Sequence, residues 1–224
     1  MEVACLVSDA AAAVRMDRMY RRQRHVYDLT RKFYLLGRDR LISRLDARPG
    51  HCILEIACGT GRNLIRAARR YPEAQFFGID ISTEMLASAA KSIARNRLDA
   101  RIQVAVSDAT SLHHLSILFG RAEFDRVLIS YSLSMIPAWR SVLPQVHSLL
   151  ARGGEFHVVD FGDFHSIPGW FRTGMRQWLS HFDVTPRDEL EYELAQLARQ
   201  TRAPLHVERQ FRGYAQYAMI RRTS

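Results

Sequence analysis

The chain has 224 residues, of which 47% are hydrophobic and 25% are charged, and its formal net charge is +9. This is the composition of an ordinary globular protein with one sizeable domain, and no apolar run approaches the roughly 20 residues that a membrane-spanning helix needs. Cys5, Cys52 and Cys58 give neither a disulfide framework nor a metal-ligand spacing, which predicts a reducing, cytoplasmic location and no metal.

The N-terminal part of the chain divides into two segments. Residues 1–14 lack a basic stretch and carry Glu2 and Asp9, which indicates a flexible N-terminus and not a signal peptide. Residues 15–48 hold 11 basic and 4 acidic side chains, and therefore most of the excess positive charge. Such a segment is typical either of contact with an anionic partner (nucleic acid, lipid surface or acidic small molecule) or of a merely solvated face.

Aromatic residues recur in this basic segment at a helical spacing. Tyr20, Tyr27 and Tyr34 are seven residues apart, so on a helix they lie along one face, with Arg and Lys on most of the remaining surface. The stretch is too polar for a core helix and too aromatic for a plain solvated one. We therefore predict that residues 15–48 form a helical cap that covers a site.

After Pro49-Gly50 the pattern changes to alternating strands and helices. Apolar runs at 51–57, 74–82, 101–109, 124–133 and 155–163 predict strands, and helices are predicted between them, the last over 139–154 with Gly153 and Gly154 at its end. Residues 204–213 and 214–222 predict two further strands in a tight pair. The expected fold for residues 49–224 is α/β: a Rossmann-like, seven-stranded, mostly parallel sheet with helices on both faces.

One segment of this domain, 164–200, is predicted as a helical insertion on the substrate side. Within it, apolar side chains recur at helical spacing, and basic side chains lie on the other side of the helix. Such a helix either lies in a lipid headgroup layer or covers the substrate pocket. The apolar positions are Ile167, Trp170, Phe171, Met175, Trp178, Leu179 and Phe182, and the basic ones are Arg172 and Arg176.

The residues that could bind a ligand or take part in catalysis lie in the predicted strands or directly after them. Gly59 and Gly61 stand where the first strand turns into a helix, which suits a tight turn with a ligand against the backbone. The third glycine of a dinucleotide fingerprint is replaced by Leu64, so NAD is not predicted. Acids occur in the first strand (Glu55), at the end of the second (Asp80) and after the third (Asp108). They suit ribose and adenine recognition, or else they cap helices and turns.

The series E-x-A-C-G-T-G, G-I-D and S-D-A resembles the motif series of class I S-adenosylmethionine-dependent methyltransferases. The resemblance covers roughly residues 50–160 by the strand pattern. It implies S-adenosyl-L-methionine as cofactor, with the first acid, usually Asp, replaced here by Glu55. The implied cofactor-binding residues in the domain are Glu55, Ala57, Cys58, Gly59, Gly61, Asp80, Ile81, Asp108 and Ala109.

The N-terminal stretch from Tyr20 to Leu41 resembles the betaine-lipid N-methyltransferases. This resemblance implies trimethylation of diacylglyceryl-homoserine to diacylglyceryl-N,N,N-trimethylhomoserine by in-line methyl transfer. It also implies a lipid substrate with an amino-acid headgroup and peripheral contact with the anionic inner face of the membrane. Docking to the transferase that builds the headgroup is left open.

This reaction suggests roles for further residues. Tyr27, His25 or water would take the amine proton, and His25 could instead be a surface or capping residue. On an ideal helix Tyr27 and His25 point about 200° apart and would not form one dyad. Tyr20, Tyr27 and Tyr34 would enclose the cofactor sulfonium and the amine. Tyr131, a further catalytic candidate, would complete this enclosure from the opposite wall, or else it is a plain aromatic residue at the end of a strand. The substrate-binding residues would be Arg31 and Arg38, which suit the headgroup carboxylate, and Asp160, which either attracts the ammonium or satisfies loop amides.

Two rival functions stay open. The basic charge would suit an RNA or protein methyltransferase, but base-methylating enzymes typically have N/D-P-P-Y/F where this chain has SYSLSM, so nucleic acid is disfavoured. Another small-molecule amine or hydroxyl would also serve as acceptor. The other rival is a catalytically silent cofactor-binding subunit, against which the intact series of acids and glycines argues.

Overall fold

The computed structural model describes residues 35–223. The predicted flexible N-terminus and most of the predicted cap therefore lie outside the described residues. So do five predicted site residues, namely Tyr20, His25, Tyr27, Arg31 and Tyr34.

The described chain is built on a seven-stranded sheet with the order β3-β2-β1-β4-β5-β7-β6. The first five strands are parallel, and β7 runs antiparallel between β5 and β6. This confirms the predicted fold class, including the C-terminal pair of strands. The strands are β1 Cys52–Ile56, β2 Gln75–Asp80, β3 Ile102–Val106, β4 Phe124–Ser130, β5 Leu150–Phe161, β6 Leu205–Gln210 and β7 Ala215–Arg221.

Helices cover both faces of the sheet, because its central strands are apolar on both sides. One buried cluster joins the sheet to α1, α2, α3 and α6, and a second joins the opposite face to α4, α5 and α7. The helices are α1 Arg38–Arg44, α2 Arg62–Arg70, α3 Thr83–Arg95, α4 Leu115–Phe119, α5 Trp139–Ser148, α6 Gly169–Ser180 and α7 Leu190–Thr201.

The boundary between α5 and β5 differs from the prediction. The helix ends at Ser148 and the strand begins at Leu150, so the predicted helix over 139–154 is wrong in its last turns. Leu150 pairs with Phe124 on β4, and the register then shifts before Arg126 meets Glu155. Gly153, with φ 74°, lies in this irregularity. Pairing with a strand distant in sequence therefore overrides the local helical pattern.

Helix α1 fixes the entry of the chain onto the sheet. Leu41, Ile42 and Leu45 are buried, and the Arg126 guanidinium donates to the Leu45 carbonyl over 2.5 Å. The Tyr131 hydroxyl donates to the Leu36 carbonyl over 2.6 Å. The segment just before α1 is thereby held beside the carboxyl ends of the parallel strands.

Candidate cofactor and acceptor site

A cavity of about 470 Å³ lies at the carboxyl ends of β1 to β4. Glu55 of β1, Asp80 of β2, Asp108 after β3 and Ser130 of β4 line it, and Arg38 of α1 adds a cationic wall. The strand order reverses between β1 and β4, since β2 continues on one side of β1 and β4 on the other. Open α/β sheets bind ligands at such a switch point, and the volume suits a small molecule.

The turn between β1 and α2 leaves its backbone open to the cavity. Ala57, Gly59 and Gly61 have φ of 54°, 56° and 74°, the left-handed region that favours glycine. A Cβ at Gly59 would meet nothing within 4 Å, whereas one at Gly61 would lie 3.2 Å from the Ala89 Cβ. Gly59 therefore leaves room for a ligand, and Gly61 allows α2 to approach α3.

Leu64 occupies the position at which a dinucleotide fingerprint has its third glycine. Its side chain is 1% exposed and packs where β2 has Gly78. A Cβ at Gly78 would come within 2.6 Å of the Leu64 Cδ1 and 2.9 Å of the Cys58 Sγ. The close approach of helix and sheet is thus made possible by a glycine on the neighbouring strand.

Asp80 connects the glycine turn to the end of β2. Its Oδ2 accepts from the Gly59 amide over 2.8 Å, and its Oδ1 accepts from the Ser82 amide over 2.9 Å. A carboxylate has about four acceptor positions, so both oxygens can also accept from ribose hydroxyls. Asp80 is therefore a turn residue that also lines the cavity, where its predicted role as a ribose acceptor stays a prediction.

Glu55 provides a direct test of whether the cofactor fits. Its Oε1 accepts from the Asn63 side-chain amide over 2.8 Å, while its Oε2 is buried and accepts no hydrogen bond within residues 35–223. Burial raises the pKa of Glu55 to about 8, against the opposing effects of Asn63 and Arg38. The α-ammonium of S-adenosylmethionine would supply the missing hydrogen bond and the opposite charge, so the residues fit this group.

Asp108 and Ala109 line the cavity beyond β3, as expected for an adenine site. The Asp108 Oδ1 accepts from both the amide and the hydroxyl of Thr110 over 2.7 Å, so this oxygen also fixes the turn. Cys58, Ala57 and Ile81, predicted from the resemblance, line the cavity as well. Gly61 does not line it and lies behind the turn.

The predicted acceptor-side residues have different surroundings. Tyr131 lines the cavity with its hydroxyl bonded to Leu36, and burial raises its pKa well above the usual value. This geometry offers a ring to the cavity wall and not a proton acceptor. Arg38 also lines the cavity. Asp160 is fully buried and does not line it; it accepts from the Phe161 and Ser134 amides, which is the loop-amide role.

Several lining residues were absent from the sequence prediction. Asn63 holds Glu55, and Arg62 in turn donates to Asn63 over 3.2 Å. Ser130 and Ser132 place hydroxyls at the end of β4, and Met135 contributes to the same wall. A polar residue on the buried side of α2 is the signal by which Asn63 could have been recognised, whereas serines after a strand are too common to stand out.

Comparison with known proteins supports this assignment of the cavity. Residues 53–154 match the model of a family described as "Methyltransferase domain". The chain is 28% identical over 124 residues to the ubiquinone/menaquinone biosynthesis C-methyltransferase UbiE of Dinoroseobacter shibae, covering 55% of this chain and 48% of that protein. It is 26% identical over 148 residues to the demethylmenaquinone methyltransferase of Listeria monocytogenes, covering 62% and 56%.

Among solved structures, phosphoethanolamine N-methyltransferase 2 of Haemonchus contortus, in complex with phosphomonomethylethanolamine and S-adenosylhomocysteine, superposes with a TM-score of 0.66. The match has 18% identity and covers 84% of this chain and 53% of the other, so it bears on the fold. The chain spans about half the length of the curated relatives it matches. Residues 53–154 thus match a methyltransferase-domain model, and the described chain has the Rossmann-like methyltransferase fold with a cavity whose residues fit S-adenosylmethionine.

Proposed function

We propose that the protein transfers methyl groups from S-adenosylmethionine to the amine of diacylglyceryl-homoserine, giving the trimethylated betaine lipid. The observation that carries this proposal is the position of the end of the N-terminal motif. Leu35 and Arg38, which belong to that motif, form a wall of the cofactor cavity. The segment that resembles betaine-lipid N-methyltransferases thus leads to the place where an acceptor would meet the cofactor.

The chemistry makes modest demands on the protein. The methyl group moves in line from sulfur to a neutral amine, and positive charge passes with it, so little net charge is created. Orientation of the two reactants can then supply most of the acceleration, with effective molarities of roughly 10⁵ M or more. The amine must first lose a proton, for which Tyr27 and His25 remain the proposed acceptors.

The headgroup offers a carboxylate as well as an amine. Arg38 lines the cavity and would bind the carboxylate, together with Arg31 in the cap. The rings of Tyr20, Tyr34 and Tyr131 would attract the sulfonium and the methylated amine. These roles are parts of the proposal.

The proposal is tested with labelled S-adenosylmethionine and diacylglyceryl-homoserine in mixed micelles. We expect label in the lipid, and a slower rate for Tyr27→Phe with cofactor affinity unchanged, because only the proton acceptor is removed. Tyr192→Phe is the matched control, since Tyr192 is exposed on α7. Label in added RNA instead of the lipid would refute the proposal, and an unchanged rate for Tyr27→Phe would refute its role.

Methylation of a quinone precursor is the second candidate function, because the two relatives described above are named as methyltransferases of ubiquinone or menaquinone compounds. Carbon methylation needs an activated ring and not an amine. The same assay distinguishes the two candidates when a demethylated menaquinol replaces the aminolipid as acceptor. Unlabelled lipid and labelled quinol would establish this alternative, and no label in either would favour the cofactor-binding subunit.

A lipid substrate also requires access to a membrane surface, and we propose that α6 provides it. Trp170 is 78% exposed, while Leu179 on the same helix is buried against the core. Arg176 pairs with Asp188 over 2.7 Å, and Arg172 is exposed. A helix with exposed Trp and Arg suits the headgroup layer. Within residues 35–223, no helix is long and apolar enough to cross the bilayer.

Flotation with vesicles that contain anionic phospholipid tests this role of α6. The double variant Trp170→Ala/Trp178→Ala should lose most of its bound fraction, because amphipathic aromatic rings anchor a helix at the interface. Ile117→Ala is the control, since Ile117 is 84% exposed on α4. Unchanged partitioning of the double variant would contradict the proposal.

A further inference from the structure

We infer that the hydroxyls of Ser130 and Ser132, at the end of β4, bind the carboxylate of the methyl acceptor. The inference rests on the proposed methylation of an amino-acid headgroup and names the contact that would select such a headgroup.

The two hydroxyls have no partner in the part of the chain that the structure describes. Both Oγ atoms are buried and accept or donate no hydrogen bond there, and Ser132 as a whole is only 7% exposed. Both residues line the cavity. Because buried polar atoms are nearly always hydrogen-bonded in native proteins, the occupant of the cavity is expected to supply the partner.

The position of β4 separates these hydroxyls from the cofactor contacts. Glu55 lies in β1, Asp80 ends β2 and Asp108 follows β3, so a nucleoside bound to these acids extends towards the β3 side of the sheet. β4 flanks β1 on the opposite side. The end of β4 therefore lies next to the methionine end of the cofactor, where the methyl group leaves and the acceptor must approach.

The charges around the serines favour an anionic group. Arg38 lines the same cavity, and its positive charge acts on Tyr131, the residue between the two serines. Asp160 acts on Tyr131 in the opposite sense and more strongly, but it does not line the cavity, and both of its oxygens accept from backbone amides. Two hydroxyl donors beside a guanidinium suit a carboxylate, and the Glu55 carboxylate is left for the cofactor ammonium.

Ser134 is the matched control for these residues. It lies two residues farther along, is 1% exposed, and does not line the cavity. Its amide donates to the Asp160 Oδ2 over 3.1 Å. A change of Ser134 to alanine therefore removes a buried hydroxyl from the same segment without touching the cavity.

Binding of soluble headgroup analogues to the full-length protein, loaded with S-adenosylhomocysteine, tests the inference. O-methyl-L-homoserine carries the amine and the carboxylate, and 3-methoxypropylamine carries the amine alone. In calorimetry, Ser130→Ala and Ser132→Ala should each lower the affinity for O-methyl-L-homoserine about tenfold, because each variant loses a hydrogen bond to a charged group. Binding of 3-methoxypropylamine, and all binding by Ser134→Ala, should stay unchanged.

The outcomes separate this inference from the proposed function. If O-methyl-L-homoserine binds as expected but the unmodified protein does not methylate the lipid, the carboxylate site stands and the lipid reaction is refuted. The carboxylate site is overturned if the two cavity variants behave like Ser134→Ala, or if O-methyl-L-homoserine does not bind the unmodified protein. It is also overturned if the two substitutions weaken the binding of S-adenosylhomocysteine, because the hydroxyls would then contact the cofactor.

Discussion

Glu55 combines features that are rarely found together in a strand residue. It is 2% exposed, one of its oxygens is held by Asn63, and the other has no partner among residues 35–223. Its pKa of about 8 means that below this pH the carboxyl is mainly neutral in the ligand-free protein. A bound ammonium favours the ionised form, so cofactor binding should release a proton from Glu55 near neutral pH.

We predict that S-adenosylhomocysteine binds more tightly as the pH rises from about 6 to about 8, because less work is then needed to ionise Glu55. Calorimetry in two buffers of different ionisation enthalpy measures the proton released at neutral pH. Glu55→Gln should bind more weakly and without this pH dependence. Equal proton release by both proteins would show that another group titrates.

The same pKa has a consequence for stability, with a defined sign. The pKa of Glu55 is raised from 4.5, so the folded protein binds more protons than the unfolded chain between that value and about 8, and stability falls with pH across this window. The free energy of unfolding of Glu55→Gln, taken relative to that of the unmodified protein, should therefore rise by at least about 1.4 kcal/mol between about pH 5 and about pH 9. This is the free energy that corresponds to a shift of one pKa unit. Urea unfolding at the two pH values measures this difference.

Single residues also show what the sequence reveals about the site. Glu55, Asp80 and Asp108 could be predicted because each lies in, at the end of or just after a recognisable strand, in the right order. Ser132 could not be predicted, since its significance depends on which atoms lie opposite it in the folded chain. Asn63 was missed, although a polar residue on the buried side of α2 is a signal for it. Asn63 matters through Glu55, eight residues away, and Ser132 through the absence of a partner.

At the scale of elements, the contact between β2 and α2 shapes the cofactor turn. Gly78 makes room for Leu64 and Cys58, and an added methyl group there would approach both closely. We predict that Gly78→Ala lowers the free energy of unfolding by about 1–3 kcal/mol, the usual cost of overpacking a core. Gly78→Ala should also weaken the binding of S-adenosylhomocysteine, because Cys58 belongs to the turn between β1 and α2.

Gly174→Ala is the control for this prediction. Gly174 lies within α6, and a Cβ at this position would meet nothing within 4 Å. Alanine is favoured over glycine in a helix by up to about 1 kcal/mol, so this variant should be slightly stabilised. Equal stability of the two variants in urea unfolding would contradict the packing argument.

The elements themselves were predictable where a local pattern coincides with a tertiary need. β1 and the turn to α2 were recognised because an apolar run ends in glycines. The start of β5 was missed, since Leu149 and Leu150 continue the apolar pattern of α5, and only the pairing of Leu150 with Phe124 ends it. The helical pattern of α6 was visible, whereas which of its aromatic residues stay exposed depends on the core beneath it.

At the scale of the molecule, the cavity joins separate parts of one sheet. Acids in or near the ends of β1, β2 and β3 and serines at the end of β4 meet there because parallel strands present their carboxyl ends at one edge. The two buried clusters hold the helices against both faces and so fix these strand ends in position. A ligand bound at this edge contacts only the native arrangement and should therefore stabilise the whole domain.

The glycine turn allows this linkage to be tested by a matched pair of substitutions. Gly59 and Gly50 both have positive φ, of 56° and 80°, and a Cβ at either position would meet nothing within 4 Å. Only Gly59 lines the cavity. Gly59→Ala and Gly50→Ala should thus carry a similar backbone strain of about 1–2 kcal/mol, while only Gly59→Ala places a methyl group where the cofactor lies.

We therefore predict different responses of the two variants to S-adenosylhomocysteine in a thermal unfolding scan. At about 100 times its Kd the ligand contributes about 2.7 kcal/mol, which raises the Tm of a domain of this size by roughly 5–10 °C. The unmodified protein and Gly50→Ala should show this rise at the same ligand concentration, and Gly59→Ala should lose most of it. If Gly59→Ala kept the full rise, the ligand would have to bind away from the turn, because the backbone strain is common to both variants and only the methyl group added at Gly59 lies in the cavity.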